Sequence, residues 1–287
     1  MDAMSSKHTA FRALGALGAA ALAVGLAACS TTPDPGASDA PAASEYVTDG
    51  KLTIGTGEPA YYPYVIDDAP ETGEGFEAAV AYAVAEELGF AAEDVVWVRT
   101  GFDEAIAPGP KDFDFNIQQF SITEERKQSV DFSSPYYAAP QAVITVEGTA
   151  AADATSLADL KELRIGAATG TTSLKAIEQL IEPSGGAQVF NSNDDAKLAL
   201  ESGQVDAIVV DLPTAFYITG VELEGGVIVG QLPEIEGETD EWGLLLPKGS
   251  PLTADVTAAV DRLRENGTLA RLADEWLGAD QGAPLLQ

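Results

Sequence analysis

Apolar and polar residues alternate from Lys51 to Thr56 (KLTIGT) and again where Phe113, Phe115 and Ile117 interleave with Asp114, Asn116 and Gln118. A period of two marks a strand with one buried face. Between these runs Phe76, Val80, Ala83, Val84 and Leu88 share one stripe of an amphipathic helix that Gly89 closes, and Val95 to Val98 gives a further strand. The order strand, helix, strand predicts a doubly wound α/β lobe, in which ligands bind beyond the carboxyl ends of the strands. A short helix from Phe102 to Ile106 is broken by Pro108, Gly109 and Pro110. Gln141 to Val146 reads as an extended run leaving that lobe, and Leu157 to Leu163 as a short helix. A strand from Arg164 then enters a turn through Gly170, Thr171 and Thr172. Asn193 caps a helix from Asp194 to Leu200, Val205 to Val210 is a buried strand, and a helix spans Pro213 to Ile218. Gly225 to Gly230 and Trp242 to Leu246 are later strands, the second returning to the first lobe. Val256, Val260 and Leu263 share a face of a carboxyl-terminal helix. No internal repeat is visible.

The amino terminus follows a different pattern. Lys7 and Arg12 precede an apolar run from Ala13 to Ala28, too short for a comfortable bilayer span. It ends in Leu26-Ala27-Ala28-Cys29, which matches the lipobox at which bacterial lipoproteins are cleaved and lipidated. Residues 1–28 therefore read as a lipoprotein signal peptide and Cys29 as the lipidation site. A tract rich in Pro, Ala, Ser and Asp follows, so 29–49 reads as a disordered tether.

Charge and composition narrow the chemistry. The net charge is −31 at pH 7, and loss of Asp2, Lys7 and Arg12 with the signal makes it about −32. Such a surface repels nucleic acid and anionic headgroups, which argues against a nucleic-acid partner. The one histidine, His8, lies in the signal, and the one cysteine is Cys29. The mature domain therefore lacks the side chains for Ser/His/Asp or Cys/His catalysis and for zinc sites built on His or Cys. No metal or cofactor is expected.

Candidate binding residues gather at strand ends. After the strand at Phe113 come Gln118, Gln119, Ser121 and Thr123, a helix N-cap with Arg126 three residues on; Glu124 and Glu125 beside it also fit a solvated helix face. Glu58, Tyr61, Tyr62 and Tyr64 crowd a loop interrupted by Pro59 and Pro63. The Gly170-Thr171-Thr172 turn opens a helix whose free N–H groups favour a carboxylate or phosphate, although it is no Walker A loop. Asp194 and Asp195 suit a helix dipole rather than a calcium loop. Asp211 follows a strand and fits either a helix cap or a ligand contact.

Three motifs occur in one order: Ser121-Ile122-Thr123 with Arg126, leading to Val130-Asp131-Phe132-Ser133 with Pro135 and Tyr136; the Gly-Thr-Thr turn; and Leu272, Trp276 and Leu277 near the end. Together they resemble the family 3 bacterial solute-binding proteins, over about Lys51 to Gly278. The resemblance implies a two-lobed periplasmic-binding-protein fold of type II, its lobes joined by two hinge strands. Lobe 1 would comprise 50–141 and 242–287, and lobe 2 142–241. It further implies an extracytoplasmic lipoprotein, anchored to the cell membrane, that delivers a free polar amino acid, glutamine-like or basic, to the permease of an ABC importer. In the family's pattern Arg126, Ser121, Thr171 and Thr172 take the ligand's α-carboxylate and Asp211 its α-ammonium. Tyr61 lies over the ligand, and Glu58, Gln118 and Gln119 line the side-chain pocket. The protein is expected to be a monomer and no enzyme. A carboxylate-based dehydratase on the same fold, or a ligand sensor without transport, stays open. The short Pro108-Gly109-Pro110 segment departs from the family's longer helix at the cleft rim.

Overall fold

The computed structural model describes residues 45–237, 240–278 and 282–287. The signal peptide and Cys29 lie outside them. Among the described residues ten strands form two five-stranded sheets, each with helical cover on both faces.

In the first sheet the order is β2-β1-β3-β10-β4. Here β1 (Leu52–Thr56) runs parallel to β2 (Val95–Arg99) and to β3 (Phe115–Asn116). Antiparallel to these, β10 (Glu241–Pro247) lies between β3 and β4 (Val130–Ala138). Helix α1 (Phe76–Glu87) packs against one face with α7 (Thr253–Glu265) and α8 (Thr268–Trp276), closing a core around Ile54, Phe76, Phe115 and Trp242. Helix α2 (Phe102–Ile106) covers the other face with Phe113, Phe120 and Leu245.

In the second sheet the order is β7-β6-β8-β5-β9. It comprises β5 (Gln141–Val146), β6 (Ile165–Ala168), β7 (Gln188–Phe190), β8 (Ala207–Asp211) and β9 (Gly226–Gln231). The apolar run of β8 is explained by burial on both sides. Ala207 and Val209 meet α3 (Leu157–Leu160) and α4 (Thr172–Ala176), whereas Ile208 and Val210 meet α5 (Asn193–Glu201) and α6 (Leu212–Tyr217).

The chain crosses between the sheets after β4 and before β10, and Ala139 N–H donates to Asp240 O at 2.9 Å where these crossings run side by side. Several sequence expectations need adjustment. The tether was expected to reach residue 49, yet Tyr46 packs edge-on against Phe90 at 5.0 Å and Val47 N–H donates to Asp114, so both belong to the folded body. The strand expected over 113–117 is confined to two residues, and the helix expected to 163 stops at Leu160. The cap of α5 is Ser192, whose hydroxyl accepts from Asp195 N–H, so Asn193 is its first helical residue. The last residues, expected with lobe 1, pair along β9: Gln231 N–H donates to Pro284 O at 2.7 Å, and Leu286 is buried in the second core.

A candidate ligand-binding cleft

Where the sheets face each other the ends of β1, β3, β6 and β8 converge on a cavity of about 310 Å³. Its wall includes Arg126, Asp211, Ser121, Tyr61, Thr171, Thr172, Gln118, Gln119 and Glu58, so all nine residues singled out in the sequence reach one space. A larger cavity of about 550 Å³ also touches Arg126 and has Pro108 in its wall, but of the nine it holds only Arg126, Thr171 and Thr172. The smaller cavity is therefore the candidate site.

Arg126 is 7% exposed and opens a 3-10 turn whose backbone N–H is held by the Thr123 hydroxyl at 3.1 Å. The solvated helix face is thus excluded. Its guanidinium donates to Ser121 O at 2.7 Å and, across the cleft, to Gly170 O at 2.9 Å. Phe102 lies beneath it, with the ring centre 5.3 Å from Cζ, and stacks in turn on Phe120 at 4.9 Å. Burial lowers its pKa to about 10, a shift that Asp211 and Glu125 oppose, so it remains a cation at neutral pH. The two carbonyls occupy two of five N–H donors, and the guanidinium stays available to an anion.

Asp211 stands at the amino end of α6, but its side chain makes no capping bond; Leu212 and Pro213 follow at the start of the helix. Instead Oδ1 accepts from Gln141 Nε2 at 2.7 Å. Burial raises its pKa to about 7; the Gln141 bond and Arg126 pull it down, while Asp240 and Glu77 push it further up. Gln141 is held in turn by Ser173, whose hydroxyl donates to Gln141 Oε1 at 2.5 Å. A carboxylate under this pressure is stabilised by a cation brought to it.

Thr171 caps α4: its hydroxyl accepts from Leu174 N–H at 3.1 Å and donates to Ala168 O at 2.7 Å. That commits the Thr171 side chain, so what it offers the cavity is backbone. The Thr172 hydroxyl meets Ser121 Oγ at 3.1 Å, another contact between the lobes. Tyr64 Oη pairs with Thr214 Oγ1 at 2.9 Å and Tyr62 packs on Tyr217 with ring centres 4.4 Å apart, so the tyrosine loop bridges the cleft. Tyr61 is held above its usual pKa by burial and by Asp194.

A sequence profile of the bacterial extracellular solute-binding proteins, family 3, matches residues 52–279. The chain belongs to that family. This solute-binding protein is 31% identical over 242 residues to the L-arginine-binding protein of Pseudomonas aeruginosa, covering 82% of its own length and 91% of the relative. It is 30% identical over 237 residues to the L-cystine-binding protein TcyJ of Escherichia coli, covering 80% and 84%. Among solved structures, an ancestral arginine-binding protein bound to arginine superposes with a TM-score of 0.66 at 32% identity, covering 79% of this chain and 98% of that one. The two-lobed fold is shared with it.

Phe102, Asp103, Glu104, Gln141, Ser173 and Glu77 were missed from the sequence. Phe102 and Asp103 carried a signal, since a short helix after β2 begins at the cleft. Gln141 and Glu77 act through contacts made only on folding, and nothing local marks them. Among the described residues no group of three or more His, Cys, Asp or Glu is placed to hold a metal.

Proposed function

We propose that this solute-binding protein captures a free L-amino acid with a cationic side chain for an ABC importer. The observation that carries the choice of cation is the charge of the wall: among the described residues that line the cavity, Glu58, Asp103, Glu104 and Asp211 stand against a single basic residue, Arg126. A zwitterion with a neutral side chain leaves this excess of carboxylates in place, whereas a cationic side chain offsets part of it. Arg126 binds the α-carboxylate through its remaining donors, helped by Ser121 and by the backbone of the Thr171–Thr172 turn. Asp211 takes the α-ammonium, Tyr61 covers the ligand, and Glu58, Gln118 and Gln119 receive the side chain. Gln118 Oε1 is buried without a hydrogen-bond partner, which suits an incoming donor. The names of the two relatives bound to arginine and cystine fit a polar amino acid, and the first fits the basic class.

The lobes divide at 141/142 and 241/242 and hinge there, with the protein acting as a monomer and as a binder rather than an enzyme. Cys29 carries the lipid that holds it to the outer face of the membrane; Cys29→Ala should release it to the soluble fraction. The direct test is calorimetric titration of the soluble domain with L-arginine, L-lysine, L-glutamine and L-glutamate. Tightest binding of a basic ligand is expected; preference for glutamate or glutamine would overturn the charge argument.

A further inference from the structure

Glu77 is 1% exposed, sits in the first turn of α1 and does not line the main cavity. It borders a small void with Tyr61, Gln118 and Gln119. Three donors converge on its carboxylate: the Gln119 backbone N–H at 2.7 Å, the Gln119 side-chain Nε2 and the Tyr136 hydroxyl. Gln119 is one of few non-glycine residues with positive φ, at 49°. This left-handed backbone is unfavourable for glutamine and here it turns the N–H onto Glu77.

An ionised carboxylate can only accept. Beside Glu77, the Gln119 amide must therefore present its NH₂ to the carboxylate and its carbonyl oxygen elsewhere. Gln119 also lines the cavity. We propose that Glu77 is a positioning residue: it fixes the orientation of the Gln119 amide so that this wall of the cavity offers an acceptor and selects ligand side chains that donate. The inference rests on the reading of the cavity as an amino-acid site and adds to it a residue that never touches the ligand. Glutamine at 77 could itself donate to Gln119 Oε1 and let the amide turn over. The acceptor at the cavity wall would then become a donor.

The ligands that separate these cases are L-arginine, whose terminal group is all donor, and L-citrulline, which replaces one terminal nitrogen by a carbonyl oxygen. Calorimetry gives the ratio of their Kd values for the wild type, Glu77→Gln, Gln119→Met and the double variant. The expected result is that Glu77→Gln reduces the preference for arginine about tenfold, and less than twofold when Gln119 is already Met. An equal reduction in both backgrounds would mean that Glu77 acts only as a distant charge, and no reduction in either would mean that it is merely structural; both overturn the proposal. A second readout needs no change at Glu77. Burial holds its carboxyl up at about pH 7, against the pull of Tyr136 and Gln119. Protonation lets it donate, so the wild-type ratio should fall as pH drops from 8 to 5.5 and stay flat in Gln119→Met. Of the ionisable groups that share its field, Tyr136 on β4 and Tyr64 on the tyrosine loop stay neutral in this range. Asp211 across the cleft faces the α-ammonium common to both ligands and cancels from the ratio. A flat wild-type ratio overturns the proposal alone, whereas a wild type that binds neither ligand removes the amino-acid reading with it.

Discussion

At the scale of single residues, the charge matching proposed for the cleft rests on two residues that mutation can separate. Arg126 donates to a lobe-bridging carbonyl, and the proposed site asks it to serve a ligand carboxylate as well, which only a planar fork can do in both directions. Arg126→Lys should weaken binding by about 2 kcal/mol, roughly thirtyfold in Kd, with little change in the far-ultraviolet circular dichroism. Affinity within twofold of wild type would exclude Arg126 as the carboxylate anchor. Asp211 carries the opposite prediction. Asp211→Asn should weaken an L-amino acid more than tenfold and its des-amino analogue little, since only the former brings an ammonium. Because the Asp211 carboxyl titrates near pH 7 before ligand arrives, affinity for the amino acid should also decline as pH falls from 8 to 6. Equal losses for both ligands would reduce Asp211 to a structural role.

Among the elements, the legible parts of the sequence are those whose burial has a clear period. Helix α1 and strands β1 and β8 were read from apolar positions alone, and the ends of strands supplied the candidate residues. Strand β4 was not marked out, because register shifts where it pairs with β10 destroy the alternation of its buried positions. β3 is short because Gln119 turns left-handed soon after it, which no pattern of hydrophobicity records. Ser192 and Asn193 are both good caps, so choosing between them required the backbone. Glu77 and Gln141 were invisible for a similar reason: their partners, Gln119 and Asp211, are distant in sequence. The turn between β6 and α4 was legible, and its glycine is tested at this scale. Gly170 has φ +70°, and an added Cβ would lie 2.5 Å from Asp103 Oδ1 on the opposite lobe. Gly170→Ala should weaken ligand binding at least tenfold by obstructing closure, and should lower stability by about 1 kcal/mol through the left-handed backbone. Binding as tight as wild type would show that the lobes close without this contact.

For the whole molecule, acidity and burial act together on stability. The carboxyl groups of Glu77 and Asp211 both have folded pKa values raised to about 7. A raised carboxyl favours the native state most when protonated, so its contribution is complete below the unfolded pKa near 4 and is lost as pH rises through 7. Each group amounts to on the order of 3 kcal/mol over that window. Asp131 and Asp206 have lowered values through Lys248 and Arg164, and their support disappears only in stronger acid. The ligand-free protein should therefore melt at a higher temperature at pH 5 than at pH 8, with a decline below about pH 4. Glu77→Gln should remove part of the difference between pH 5 and pH 8, which relief of self-repulsion in a chain of net charge −31 would leave intact. A Tm that rises steadily from pH 5 to pH 8 would contradict the account.

Residues 282–287 bear on the open flank of the second sheet. Helix α8 packs with the first sheet, whereas Pro284 and Leu286 pair along β9 and seat against Gly230, where a Cβ would meet Pro284 O at 2.5 Å. β9 ends the strand order of its sheet, and these residues take up the Gln231 N–H and C=O that would otherwise be left bare at that edge. They work as a hem sewn along a cut edge. Peeling it off with Gly230→Ala, or ending the chain at Gly278, should lower the Tm and promote association between molecules, which light scattering would register; an unchanged Tm would show that the edge needs no cover.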